Sequence, residues 1–124
     1  MTEVEGKTSA AIASVRMPEA VTMNLELMEV ARELIAKSDK IGGIEQLVIN
    51  YDVRRQEKVQ YYDLAWYKVE WEEFQVAIAE KRGEDYYVSF VTFHYHFKAL
   101  PRVPVNKWRL VGYFRTSKIL KENI

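Results

Sequence analysis

Tyr86–Lys98 reads YYVSFVTFHYHFK. It holds no Gly, Pro or Asn and is built from β-branched and aromatic residues, which fit a pleated surface. Alternation sends Tyr87, Val91, Phe93, Tyr95 and Phe97 to one side and Tyr86, Val88, Phe90, Thr92, His94 and His96 to the other. A strand over 86–98 is predicted, apolar at its start on both faces.

The neighbouring segments follow from it. Lys81-Arg82-Gly83-Glu84-Asp85 reads as a hairpin loop. Before that loop Phe74, Val76 and Ile78 alternate with Gln75, Ala77 and Ala79, a half-buried strand. Further upstream strands are predicted over 44–53 and from Val59 to about Glu70, joined by a charged turn, Arg54-Arg55-Gln56-Glu57-Lys58. Downstream, Leu100-Pro101-Arg102-Val103-Pro104 is an extended loop, Trp108 to Thr116 the last strand, and Ser117 onward a final helical turn.

Ahead of these the period changes. Leu27, Met28, Ala31, Leu34 and Ile35 recur at helical spacing, so an amphipathic helix is expected over 23–38. Thr22 is its predicted cap and Gly42-Gly43 the end of the helical segment. Residues 8–17, TSAAIASVRM, read as a first strand ended by Pro18, and residues 1–7 as a loose tail. The expectation is one α+β domain over 1–124: a single helix on a curved antiparallel sheet of about five to six strands. Cystatin-like folds share this order, as architecture alone.

Composition narrows the function classes. The chain has no cysteine, which removes disulfides, thiolate nucleophiles and Cys-held metal clusters. The acidic start, with no basic-then-apolar leader, and the lack of a long apolar run point to a cytoplasmic protein with no membrane partner. Net charge is zero but unevenly spread. Residues 1–93 hold 11 Lys and Arg against 17 acids, while residues 94–124 hold seven against Glu122 alone. All 16 aromatic residues lie between Tyr51 and Phe114.

The basic, aromatic third suggests a surface for single-stranded DNA or RNA, where cations follow phosphates and rings stack on bases. Uninterrupted alternation over Trp108–Arg115 would put Arg109, Val111, Tyr113 and Arg115 on one face. Lys107, Lys98 and Arg102, with Arg54, Arg55, Lys58 and Lys68, extend the cationic set if the strands neighbour suitably, and Trp108, Trp66 and Tyr67 are further stacking candidates. The competing reading makes the rings core and pairs the cations with Glu70, Glu72 and Glu73. So many rings are more than one helix covers, so a second layer such as a dimer partner, or an open aromatic face, is expected.

His94 and His96, the only histidines, lie two apart and can share one metal if a third ligand such as Asp63 or Glu70 joins them. Otherwise they are surface or interface histidines. Glu70, Glu72 and Glu73 around Trp71 can make an acid for a small enzymatic pocket, or a solvated turn. No phosphate loop, dinucleotide fingerprint, nucleophile elbow or zinc-protease motif is present, so no cofactor is called for and catalysis is the lesser reading. Nucleic-acid binding leads. A ligand pocket and a homodimerising interaction module follow.

Overall fold

The computed structural model describes residues 11–124. Helix α1 (Leu25–Ala36) is followed by strands β1 (Gly43–Tyr62), β2 (Ala65–Arg82), β3 (Asp85–Lys98) and β4 (Trp108–Ile119), and by a 3-10 turn at Lys121–Asn123. The strands form one antiparallel sheet in the order β1-β2-β3-β4, an α+β arrangement. Among the described residues no helix is long and apolar enough to cross a membrane.

The sheet has four strands among the described residues, fewer than expected, for two reasons. Residues 54–58 are not a turn: the predicted strands over 44–53 and 59–70 are not successive neighbours, because β1 runs unbroken through 54–58 to Tyr62. Its partner β2 begins at Ala65 and absorbs 65–70 together with 74–79. The predicted first strand also does not form in its described part. Residues 11–14 are helical, and among the described residues the chain before α1 bridges to the sheet at Thr22–Ile49, where the Val21 N–H donates to the Ile49 carbonyl (2.9 Å). The tail at 1–7 and the first three residues of that strand lie outside the described residues.

Asn24, not Thr22, caps α1: its side chain accepts the Leu27 N–H at 3.1 Å. Leu27, Ala31 and Ile35, spaced by four, are buried against Leu47, Ile49, Phe74, Val76, Ile78, Val91 and Phe93. Phe74 and Phe93 stack at 4.9 Å between centroids. Gly42 serves close approach rather than helix ending, since α1 stops at Ala36 with Lys37 still right-handed. A Cβ at Gly42 would sit directly against the Lys81 carbonyl oxygen.

The second face of the sheet is covered by the chain itself. At one end Val15, Met17 and Ile124 pack on Tyr86, Val88, Phe90 and Ile119, and Asn123 Nδ2 donates to the Ala13 carbonyl (3.0 Å). At the other end Leu100 and Val103, from the loop at 99–107, lie beside Trp71 and the two histidines. These contacts supply much of the second layer that the apolar start of β3 requires.

Candidate nucleic-acid interface

Two strands outrun the sheet. β3 ends opposite Glu70 at Lys98, but β1 and β2 stay paired from Lys58↔Val69 to Tyr62↔Ala65. At an antiparallel rise of about 3.4 Å per residue the free ribbon is roughly 17 Å long. Directly opposed residues share a face. One face carries Val59, Tyr61, Trp66 and Lys68; the other carries Lys58, Gln60, Tyr62, Tyr67 and Val69. Tyr61 packs edge-on against Trp66 at 5.2 Å, yet the two stay 52% and 70% exposed.

The turn at the tip is unusual. Asp63 and Leu64 both have positive φ, 47° and 68°, as a two-residue turn matching strand twist requires. A left-handed conformation costs a Cβ-bearing residue about 1–2 kcal/mol. Leu64 is 86% exposed, so no packing offsets that strain. Leu64→Gly should therefore raise stability by up to about 1 kcal/mol, seen as a higher urea midpoint with unchanged slope. A lower midpoint would refute this account of the turn.

Cations gather at the base of the ribbon. Glu70 receives Lys68 (3.2 Å), Arg55 (3.6 Å) and Lys98 (3.9 Å). The Lys68 hydrogen bond leads in holding its carboxyl below the ordinary range. Glu57, opposite Glu70, and Glu72, opposite Arg55, share this face, so its three cations are matched by three carboxylates. Arg102, with φ 72°, joins Pro101 in a hollow shared with Tyr62 and Asp63. Lys107 is exposed in the same loop.

The anticipated face on β4 does not form. Thr92 pairs with Gly112 but Phe93 with Leu110, so Val111 is an extra residue that flips the alternation. Trp108, Leu110 and Tyr113 consequently pack on the core side. Trp108 meets Phe74 edge-on (5.0 Å) and Tyr95 (5.4 Å). The Tyr113 hydroxyl donates to buried Glu80. Arg115 lies over Tyr87 (5.0 Å), opposite Ser89 and away from the ribbon. Arg109 opposes His94 on the far face. Of the nine candidates, then, Trp66, Tyr67, Lys98 and Arg102 lie on the ribbon or at its base, with Lys107 in the loop that holds Arg102; Arg109 shares a cleft with Lys58, Gln60 and Val69 on one ribbon face, and Trp108, Tyr113 and Arg115 lie elsewhere. Tyr61 and Tyr62 were missed as site residues, whereas Lys58 and Lys68 are among the expected extensions of the cationic set. The signal for them was the lack of any Gly, Pro, Asn or Asp in 54–58, which argues against a turn there.

His94 and His96 flank Trp71, ring centroids 5.6 and 5.7 Å away. His94 Nε2 meets Glu73 at 3.3 Å, and Arg109 Nη2 approaches His96 Nδ1 at 3.4 Å. Burial leads in pushing both imidazoles below their ordinary pKa, and Arg109 and Lys58 push the same way; for His94, Glu73 works in the opposite direction. Among the described residues no group of three or more His, Cys, Asp or Glu side chains is placed to hold a metal ion. Glu70, Glu72 and Glu73 lie within β2, not in a solvated turn.

Neither known protein families, nor curated proteins, nor solved structures give a match to this chain.

Proposed function

We propose that this protein binds single-stranded nucleic acid with little sequence preference through the β1–β2 ribbon and the adjoining loop. The observation that carries the reading is the exposed Tyr61–Trp66 pair on a free ribbon, with Lys68 on its face and Lys58 and Arg102 on the other side of the ribbon. Open rings of this kind accept a base of any identity, and cations on both sides track the phosphates. Tyr67 and Tyr62 offer a second stacking place on the opposite face, with Lys58, Lys98, Arg102 and Lys107 as phosphate partners.

The salt dependence of oligo-dT binding tests it. With about three to five phosphates neutralised, log affinity should fall against log salt with a slope of roughly −2 to −4. A flat dependence would overturn the proposal. A second reading, in which another protein chain docks on the ribbon, is favoured by β1 being a sheet edge. It uses the same rings but predicts no preference for oligonucleotides.

A further inference from the structure

On the face away from α1, Lys58, Trp71, His94, His96 and Arg109 surround a cleft of about 180 Å³, walled on one side by Leu100 and Val103. That is below the roughly 300–1,000 Å³ of pockets that engulf a drug-sized molecule. It suits a small group, or the end of a larger one.

The lining is rich in donors. Trp71 Nε1 and Arg109 Nε are buried and find no acceptor among the described residues. A buried donor left so costs about 1–3 kcal/mol. Lys58 Nζ stands 5.7 Å over the Trp71 ring, so two cations from different strands, β1 and β4, face the same space. The one carboxylate beside them, Glu73 on β2, is already engaged by Arg54 (3.9 Å) and by His94 (3.3 Å). His96, 8% exposed, has its Nδ1 turned to Arg109, which leaves Nε2 as a further donor. Charge and unmet donors thus converge with little free negative charge among them.

We propose that this cleft is a phosphate-binding site, with Arg109 and Lys58 supplying charge and His96 and Trp71 supplying N–H donors. The phosphate is either free or the end group of a strand. The site shares Lys58 with the ribbon reading but needs no stacked base, so the inorganic-phosphate response and Arg109→Gln test it separately.

The two histidines report on it, being the only ones in the chain. Both imidazoles are held low partly by Arg109 and Lys58. A bound anion offsets those cations, so it eases protonation and binds tighter at acid pH. The experiment is an NMR pH titration of the full chain with labelled histidine, with inorganic phosphate against chloride at equal ionic strength. Phosphate should raise both pKa values saturably by about half a unit, equivalent to roughly threefold tighter binding to the protonated cleft. Arg109→Gln should abolish the rise, and Lys58→Gln, at an exposed position, should reduce it without disturbing the fold. A parallel comparison of 5′-phosphorylated and 5′-hydroxyl oligo-dT separates the sources. A larger response to the phosphorylated strand assigns the site to strand ends, and equal responses beside a saturable inorganic-phosphate effect assign it to free phosphate. Histidine signals that respond to neither, or respond equally in Arg109→Gln, would overturn the proposal.

Discussion

Glu80→Ala should cost about 3 kcal/mol or more of folding stability, because three hydrogen-bond donors around a buried carboxylate lose their acceptor at about 1–3 kcal/mol each. Glu80 is fully buried on the α1 side of the sheet. Its carboxylate accepts from the Gly42 N–H (2.6 Å), the Ser89 hydroxyl (2.7 Å) and the Tyr113 hydroxyl (2.5 Å), and pairs with Arg82 (2.8 Å). Arg82 Nη2 also donates to the Tyr113 oxygen (2.9 Å) and to the Lys40 carbonyl. One carboxylate therefore ties the segment after α1 to β2, β3 and β4. Alanine would leave the donors without an acceptor and Arg82 without its counter-charge. Set against a typical 5–15 kcal/mol for a whole domain, the loss is large. Glu80→Gln, which keeps an acceptor but not the charge, should cost less. Urea unfolding followed by tryptophan fluorescence measures both, and a loss below about 1 kcal/mol for alanine would refute the hub.

The same residue sets an acid limit. Burial pushes the Glu80 carboxyl up, but the Gly42 N–H, the two hydroxyls and Arg82 together outweigh it and hold it below its ordinary value. A carboxyl lowered in the folded state binds its proton less tightly there than in the unfolded chain. Its stabilisation is complete above the unfolded pKa and fades as pH falls through the folded one. Glu80→Gln should lose that portion of the acid sensitivity.

Replacing Tyr61 and Trp66 together by alanine should weaken oligo-dT binding by about 1–3 kcal/mol for each base that loses its ring, at least roughly fivefold. Stability should change little, because both rings stand on the two-stranded ribbon beyond the edge of β3. Single replacements are not expected to add up, since the rings touch at 5.2 Å and each supports the other. Replacing Trp108 instead should lower stability, because it packs on Phe74. An equal loss of affinity from both changes, with the ribbon variant also unfolded, would contradict the division between ribbon and core.

Much of this architecture was legible in sequence. The long run at 86–98, the hairpin glycine and the helical spacing of Leu27, Ala31 and Ile35 each left a local signature; the closing turn begins at Lys121 rather than Ser117, because β4 runs on to Ile119. The ribbon did not. Burial on one face is what produces alternation, and the solvent-exposed sheet edge of β1 that leads into the ribbon shows charges at successive positions over 54–58, which resembles a turn. Nor was the fate of Tyr113 and Trp108 read correctly, because a single extra residue at Val111 reverses the faces; the adjoining Gly112, inside a strand, was the one sign of a bulge there. Glu80 carries no local sequence signal of a core residue. Its burial depends on partners 9, 33 and 38 residues distant, which no local pattern encodes.

The most direct test is a fluorescence-anisotropy titration of the full chain with labelled oligo-dT and with a duplex of equal length, at low and at moderate salt. The ribbon account predicts saturable binding that is tighter to the single strand, is weakened by salt and quenches tryptophan emission through Trp66. Absence of binding to either oligonucleotide, or equal binding to both without quenching, would contradict it.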